Sequence, residues 1–211
     1  MTYGDGDGTS LKPLVALDVA GHEMTHGVTS RTANLTYSGE SGGLNEATSD
    51  IMGTMVEFYA ANTSDVGDYL IGDKVMVAGG ALRYMYKPSI DGSSADCWYS
   101  GVGSLDVHYS SGVANHFYFL LAEGSSIPYG NSPTCVSGNT RVATGSGTLA
   151  GIGRTAAAKI WYRALTTKMT SSTDYAGARA ATIAAAQELA TTLGADYSAQ
   201  VAAAWSAVGR N

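Results

Sequence analysis

The spacing of apolar residues along the chain is mostly helical. In six stretches they recur every three or four positions, which places them on one face of an α-helix. These stretches are 15–31, 44–61, 111–123, 152–169, 174–193 and 198–208. A further short helix is predicted for "GALRYMYKP", and Pro88 would end it. The pattern therefore predicts a mainly α fold.

Polar stretches rich in glycine and serine separate the predicted helices and indicate long loops. They are 1–14, 37–43, 62–79, 89–110 and 124–150. We see no internal repeat and no clear linker. The sequence therefore predicts a single domain, 1–211, in three parts: two helices with their loop (1–61), a loop-rich region (62–150) and a C-terminal helical bundle (151–211).

Composition narrows the class of protein. The 211 residues are 45% hydrophobic, enough for a sizeable core. A net charge of −6 argues against binding to nucleic acid, because no basic face is available for phosphates. No apolar run is long enough to cross a membrane. The low charged fraction of 14% and the abundant glycine are typical of secreted proteins with long loops. We expect secretion, with a targeting segment removed before residue 1.

The two cysteines, Cys97 and Cys135, both lie in sequence that is typical of loops. In an exported protein, which meets an oxidising environment, they would form a disulfide. Closing a loop of that length stabilises the fold by roughly 3–4 kcal/mol in the loop-entropy account. The alternative is a pair of buried thiols.

The stretch "VAGHEMTHGVT" carries two histidines four residues apart, His22 and His26, with Glu23 directly after the first. On a helix this spacing places both imidazoles on one face, one turn apart, so both can bind the same ion. Glu23 is close enough to reach a water on that ion. The pattern H-E-x-x-H therefore predicts two zinc ligands and a general base. The alternative is a helix with two surface histidines, because five-residue patterns also arise by chance.

A third candidate ligand follows in "GGLNEATSD". Glu46 lies early in the second predicted helix, after a loop long enough to reverse the chain, so antiparallel helices would aim it at the histidines. A catalytic zinc uses three protein ligands and keeps one open position. Asp50 shares a helix face with Glu46 and could accept the second ring N–H of a ligand histidine. The alternative for both residues is a solvated acidic face.

The stretch "DVAGHEMTHGVTSRTANLTYSGESGGLNEATSDIMGTMVEFYA" resembles the core of the thermolysin-like neutral zinc metalloproteases. The pairing of H-E-x-x-H with N-E-x-x-S-D is highly specific, and the resemblance runs from "MTYGDGDG" to the final "AVG". The stretch "LDVHYSSGV" is similar to the pseudolysin, or elastase-like, branch. The resemblance implies the helical C-terminal lobe of an endopeptidase. Such an enzyme hydrolyses peptide bonds on the amino side of large hydrophobic residues by Glu-assisted attack of a zinc-bound water.

The resemblance implies specific catalytic roles. Zinc would be bound by His22, His26 and Glu46, and Glu23 would be the general base. Asp50 would hold a ligand histidine in place from outside the ligand set.

Two further side chains would stabilise the oxyanion, Tyr37 and His108. Asp106 would orient His108, as in the elastase-type members, because Gly103 occupies the position that the thermolysin pattern gives to an aspartate. Without the resemblance, His108 would be a lone loop histidine.

The resemblance also implies substrate contacts. Arg83 would hold a substrate carbonyl and Asn45 would pair with the peptide backbone; alone, they would be a helix-surface arginine and a helix cap. The apolar subsite for the residue after the cleaved bond would be formed by Val19, Ile71, Val75 and Leu82. By themselves these four residues are typical of a core.

Acidic residues of the first two helices and the following loop resemble a calcium site, because converging carboxylates repel one another unless a hard cation lies among them. The candidate ligands are Asp18, Glu57, Asp68, Asp73 and the carbonyl of Leu70. Asp65 is left outside the set because this loop carries extra residues relative to thermolysin. One site is expected, as in the elastase branch. The alternative is a solvated acidic loop.

The resemblance implies that whole members of the family have an N-terminal β-rich lobe forming the other wall of the cleft, and we expect residue 1 to correspond to the end of that lobe. The first interpretation is a working zinc endopeptidase. The second is a zinc- and calcium-binding fragment that is inactive or weakly active without the lobe. In either case we expect peptide substrates and an exposed apolar face that binds a separate N-terminal lobe or a second copy.

Overall fold

The computed structural model describes residues 2–127 and 130–211, and these are mostly helical. The helices are α1 (Leu17–Ser30), α2 (Gly39–Ala60), α3 (Val107–Ser110), α4 (Gly112–Glu123), α5 (Arg154–Thr167), α6 (Tyr175–Glu188), α7 (Ala190–Leu193) and α8 (Ser198–Ala207). Short 3-10 helices span Pro88–Asp91 and Val102–Ser104. The mainly α prediction is confirmed.

Two small antiparallel hairpins complete the described structure. In the first, β1 (Leu70–Ile71) pairs with β2 (Arg83–Tyr84). In the second, β3 (Ser126–Ile127) pairs with β4 (Gly130–Asn131). In the part of the chain that the structure describes, no helix is long and apolar enough to cross a bilayer.

Helices α1 and α2 run antiparallel and in close contact. Glycine permits this approach: a Cβ atom on Gly53 would lie 2.4 Å from the carbonyl oxygen of Asp18, and one on Gly21 would lie 2.9 Å from the Cα atom of Gly53. Backbones this close cannot accommodate a side chain between them. The close approach of the two backbones therefore keeps the polar side chains of α1 near those of α2.

The core lies around α4, whose residues 112–122 are all buried. Phe117 stacks on Trp205 of α8 with ring centroids 3.8 Å apart and also packs near Trp161 of α5. Aromatic pairs of this kind add to the free energy of apolar burial. The hydrophobic core thus fixes α4 against the C-terminal bundle and, through α2, against the candidate site.

Several predicted elements differ from the structure, and tertiary contacts explain two of these differences. Residues 39–43, predicted as loop, form the first turns of α2; Gly42 is needed because a Cβ atom there would meet Val107 at 2.4 Å. Residues 83–84, predicted as helix, form β2. There the N–H of Leu82 donates to Ile71 (2.8 Å) and that of Met85 to Tyr69 (3.0 Å). Tertiary pairing overrides the local helical pattern.

The predicted disulfide is confirmed. Cys97 and Cys135 are bonded, with Cα atoms 5.8 Å apart, and link the loop before α3 to the loop before α5. The backbone N–H of Cys135 donates to Ala207 at 2.7 Å, so the bond also joins both loops to the end of α8.

Candidate metal centre and cleft

Three of the predicted site residues converge between α1 and α2. The Nε2 atoms of His22 and His26 are 3.1 Å apart. The Glu46 carboxylate lies 3.5 Å from His22 Nε2 and 3.3 Å from His26 Nε2. One potential ligand atom from each residue lies within 4.8 Å of the others. His22 and Glu46 are buried, and His26 is partly exposed.

The outer nitrogens of both histidines are already hydrogen-bonded. His22 Nδ1 is 2.8 Å from Asp50 Oδ1, and His26 Nδ1 is 2.8 Å from Asn45 Oδ1. Oxygen acceptors require hydrogen on each Nδ1, so the lone pair of each neutral ring lies on Nε2 and points into the group. This is the tautomer that a metal ligand needs.

The donor set fits a divalent zinc ion. Two imidazole nitrogens and a carboxylate are typical ligands of catalytic zinc. Among the described residues, Glu46 Oε2 is buried and has no hydrogen-bond partner. A buried carboxylate oxygen facing two ring lone pairs is unfavourable unless a cation lies between them.

Electrostatics keep Glu46 ionised. Burial raises the pKa of its carboxyl, but the hydrogen bond from His26, the charge of His22 and the hydrogen bond from Tyr37 outweigh burial, and the pKa is lowered overall. When protonated, His26 can donate from Nε2 to Glu46; this hydrogen bond is the main cause of the raised pKa of His26, and burial opposes the shift. The carboxylate is therefore in the form that binds cations.

The group lines a cavity of about 440 Å³ that also contains Glu23, Tyr37 and His108. The Tyr37 hydroxyl donates to Glu46 and lies 3.3 Å from His108 Nε2. These predicted catalytic side chains, from α1, the α1–α2 loop and α3, therefore share one cavity.

Asp106 holds His108 through two contacts. Its Oδ1 accepts the backbone N–H of His108 at 2.9 Å, which caps α3, and lies 2.7 Å from His108 Nδ1. The pKa of Asp106 is lowered by these bonds, the backbone one first. His108 therefore presents Nε2 to the cavity.

Asp50 lies behind the histidine pair and is fully buried. Its carboxylate accepts from Arg83 Nε at 2.8 Å and from Arg83 Nη2 at 2.7 Å, in addition to His22. Burial raises the pKa of Asp50, but the charge and hydrogen bonds of Arg83 outweigh burial and hold the pKa far below its usual range. Asp50 therefore orients both a candidate ligand and the candidate substrate arginine.

A second cavity of about 140 Å³ adjoins the first, and it is lined by Leu14, Val19, His22, Glu23, Ile71, Leu82, Arg83 and His108. Three of the four predicted subsite residues are in this lining. Val75 is buried beside Gly72 and lies outside it. Leu14 was not found from sequence, because its stretch has little periodicity.

Asn45 lies inside α2 and is not a helix cap. Its Oδ1 contacts His26, and its Nδ2 donates to the carbonyl of Leu35 at 2.9 Å. It also lines the larger cavity. The observed contacts of Asn45 are thus with the histidine and the backbone.

The acidic residues form a separate buried cluster. Carboxylate oxygens of Asp18, Glu57 and Asp65 lie within 4.8 Å of one another. Asp65, which the sequence prediction left out, is in this group. The N–H of Asp68 donates to Glu57 at 3.0 Å. Asp73 lies 2.5 Å from Lys74 Nζ, which is also 3.3 Å from Asp65.

Leu70, the predicted backbone ligand, lies in β1, and its N–H donates to Asp68 at 2.7 Å. Burial raises the pKa of Glu57 to about 8 and that of Asp68 to about 6. Mutual repulsion among the carboxylates contributes to both shifts.

The sequence matches two family profiles. One is described as "Thermolysin metallopeptidase, alpha-helical domain" and matches residues 33–209. The other, "Thermolysin metallopeptidase, catalytic domain", matches residues 1–30. Together they cover both α1 and α2.

Curated relatives are similar over most of this chain. A transglutaminase-activating metalloprotease of Streptomyces mobaraensis is 57% identical over 212 residues, which is 99% of this chain and 27% of the relative. A bacillolysin of Bacillus caldolyticus is 41% identical over 196 residues, which is 90% of this chain and 32% of the relative. The chain thus spans about a quarter to a third of these relatives' length.

One solved structure is similar to nearly the whole of this chain. The precursor of protealysin, a metalloproteinase from Serratia proteamaculans, superposes with a TM-score of 0.68 at 26% identity. The match covers 99% of this chain and 62% of that one.

Proposed function

The chain belongs to the thermolysin metallopeptidase family, and from that premise we propose that it is the zinc-binding part of a peptide-bond hydrolase. The observation that carries the proposal is the convergence of His22 Nε2, His26 Nε2 and the unpartnered Glu46 oxygen in a cavity that also holds Glu23. His22, His26 and Glu46 would bind zinc. When bound, zinc supplies Lewis acidity, which lowers the pKa of water and polarises a carbonyl.

The other side chains of the cavity would supply proton transfer and stabilisation of the oxyanion. Glu23 would remove a proton from the attacking water and pass it to the leaving amine. Tyr37 and His108 would donate hydrogen bonds to the oxyanion. Burial and the hydrogen bond to Glu46 raise the pKa of Tyr37 above its usual value, so the phenol keeps its proton at neutral pH. Asp106 would hold Nδ1–H of His108 and stabilise an imidazolium that donates from Nε2.

The smaller cavity supports cleavage on the amino side of large hydrophobic residues. Its volume of about 140 Å³ suits one aliphatic or aromatic side chain, and Val19, Ile71 and Leu82 make its wall apolar. Val75 would support that wall from behind.

The backbone of the substrate would be held by Arg83 and Asn45. Arg83 Nε and Nη2 bond Asp50, so Nη1 would contact a substrate carbonyl. Asn45 Nδ2 already donates one hydrogen to Leu35, so its second hydrogen would pair with the substrate.

A calcium ion at the acidic cluster is part of the proposal. Asp18, Glu57 and Asp65 supply oxygens within reach of one ion, and calcium prefers six to eight oxygen ligands. Asp68, Asp73 and the carbonyl of Leu70 would complete the set. Calcium would replace the protons that the raised pKa values of Glu57 and Asp68 otherwise imply.

An apolar groove of about 590 Å³ supports an association with a second lobe. Its walls come from α1, α2 and α5, and Tyr59, Met24 and Tyr162 are exposed there. Large exposed apolar patches mark interaction surfaces.

We propose that an N-terminal lobe or, in its absence, a second copy covers this groove. Within the whole protein, residues 1–211 would form one helical catalytic lobe. Secretion and membership of the elastase-like branch are part of the same proposal.

The first experiment is hydrolysis of a quenched peptide with Gly-Leu at its centre, with zinc content measured on the same sample. Glu23→Gln should keep stoichiometric zinc and lose turnover by about 10²–10⁴-fold, because a general base contributes about that factor. His22→Ala should lose zinc. Near-normal turnover by Glu23→Gln would contradict the assignment of the base.

The same experiment separates two functional alternatives. Turnover that is abolished by 1,10-phenanthroline and by Glu23→Gln supports a self-sufficient endopeptidase. Stoichiometric zinc without turnover supports a zinc- and calcium-binding part that requires its second lobe. Absence of zinc from the folded chain would contradict the proposal as a whole.

A further inference from the structure

The carboxylate of Asp50 has four hydrogen-bond donors from three separate elements. Oδ1 accepts from His22 of α1 and from Arg83 Nη2 of β2. Oδ2 accepts from Arg83 Nε and from Nδ2 of Asn115 on α4, at 2.7 Å. Two donors for each oxygen fill the accepting capacity of the carboxylate and define its orientation.

Asn115 is the donor that the sequence prediction missed. It lies 65 positions from Asp50 along the chain, so no local pattern links the two. Asn115 is 1% exposed and Asp50 is fully buried, so solvent cannot replace their bond. A reversed amide would place Asn115 Oδ1 against a carboxylate oxygen, so the orientation with Nδ2 toward Asp50 is the one that the charge requires.

The other half of the Asn115 amide makes no such contact. Among the described residues, Asn115 Oδ1 is buried and has no hydrogen-bond partner. A buried amide carbonyl without a partner is unfavourable, and a leucine of similar shape would avoid that penalty. The side chain therefore stabilises the structure through its contact with Asp50 rather than through its own burial.

We infer that Asn115 is a positioning residue for the zinc site, an inference that rests on the proposed function. Without its Nδ2 donor, Asp50 Oδ2 would keep only the bond from Arg83, and the carboxylate could turn. Turning moves Oδ1, which fixes the hydrogen on His22 Nδ1 and the direction of His22 Nε2. Because α4 is anchored in the aromatic core, Asn115 connects the geometry of the ligand pair to the C-terminal bundle.

The test is the zinc affinity of the full 211-residue chain, measured by competition with a chromophoric chelator. Asn115→Leu keeps the branched shape and removes the donor. Removing an outer partner of a metal ligand weakens affinity by 10–100-fold; Asn115 acts one contact further out, so we expect a loss of about three- to tenfold. Asn115→Ala, which opens space instead of filling it, should show the same loss and serves if the leucine variant does not fold.

Thr182→Val is the matched control. Thr182 on α6 is equally buried; its hydroxyl accepts from Trp205 Nε1 at 2.9 Å, and it lies far from the candidate zinc ligands along the chain. This variant loses a buried hydrogen bond without touching Asp50. It should lower the thermal midpoint and leave zinc affinity unchanged.

A double-mutant cycle with Asp50→Asn identifies the route of the effect. If Asn115 acts through Asp50, then Asn115→Leu should change zinc affinity by less than about twofold in the Asp50→Asn background, because coupled residues are not additive. Three outcomes would overturn the inference. These are a folded Asn115 variant with parental affinity, a loss equal to that of Thr182→Val, and an undiminished loss in the Asp50→Asn background.

The failure of the inference is distinguishable from failure of the proposed function. A parent chain that binds no zinc would refute both. A parent chain that binds zinc tightly, with Asn115 variants that bind it equally well, would refute the positioning role alone.

Discussion

The zinc centre and the acidic cluster both hold buried charges between α1 and α2, yet their electrostatics are opposite. At the candidate zinc centre the buried carboxylate of Asp50 faces donors from Arg83, His22 and Asn115, and its pKa is far below the usual range. At the acidic cluster carboxylates face carboxylates, and the pKa of Glu57 rises to about 8.

The difference separates two ways of preparing a metal site. The candidate zinc ligands His22 and His26 are held in place by hydrogen bonds to Asp50 and Asn45. At the acidic cluster the donors are backbone N–H groups and Lys74, and they leave Glu57 and Asp68 with raised pKa values, so a cation or protons must compensate the remaining charge. The candidate zinc centre should therefore keep its geometry through its own hydrogen bonds, and the stability of the acidic cluster should depend on calcium and pH.

The largest effect is expected from removing the carboxylate of Asp50, which accepts hydrogen bonds from Arg83, His22 and Asn115. Asp50→Ala leaves Arg83 buried without its partner and frees the His22 ring. Breaking a buried pair in this way destabilises a fold by about 3–5 kcal/mol, and loss of the outer partner should weaken zinc binding by about 10–100-fold. Thermal melting and chelator competition measure the two quantities. Glu188→Gln, which removes an exposed pair with Lys168, is the control and should change neither appreciably.

The acidic cluster should show a pH dependence that calcium removes. Glu57 has a pKa of about 8 in the folded chain against 4.5 as an ordinary glutamate, so folding takes up a proton between these values. In metal-free protein this contribution to stability is fully present below about pH 4.5 and is lost as pH rises through 8. Melting temperatures at pH 5 and pH 8, with and without added calcium, check the prediction.

Glu57→Gln is the matched variant for that measurement. It should reduce both the pH dependence and the stabilisation by calcium, and it should leave zinc affinity within about twofold because additivity holds for separate sites. A metal-free chain as stable at pH 8 as at pH 5 would contradict the comparison between the two clusters.

The apolar groove lies on the far side of the same helix pair and should be independent of both clusters. Tyr59→Ser removes a side chain that is 92% exposed. If the groove mediates association, loss of one apolar contact of roughly 1.5 kcal/mol should weaken self-association by about tenfold. Sedimentation and binding of an apolar dye measure it. A parent chain that stays monomeric at high concentration and binds no dye would refute the groove as an interaction surface.

The smallest effect is expected at the exposed rim of the zinc cavity. Asp106→Asn keeps an acceptor for the His108 backbone N–H but weakens the hold on His108 Nδ1. Removal of a whole oxyanion donor lowers kcat by about 10²–10³-fold, so a change in its support should lower kcat/KM by about tenfold or less. Zinc content should be unchanged; a loss of zinc would place Asp106 among the residues that maintain the metal site.

Local patterns predicted the helical part of the fold well. The predicted stretches 111–123 and 198–208 match α4 and α8 to within a residue, because their apolar spacing is regular. The first turns of α2 were missed because Gly42 and Gly43, which elsewhere indicate loops, are there to permit close packing. β2 was missed because a two-residue strand depends on a distant partner strand, as in the pairing of Ile71 with Arg83, 12 positions away.

The sequence by itself determined those parts of the candidate site that depend on residue spacing within one helical turn or across one reversal of the chain. The spacing of His22 and His26, and the placement of Glu46 on the next helix, are local facts, and the structure brings the three residues together. Only the tertiary structure decided the supports: Asn115 behind Asp50, Leu14 in the smaller cavity and Asp65 in the acidic cluster. These contacts depend on how separate elements pack, and the free energy that sets the packing comes from the shared core rather than from any one segment.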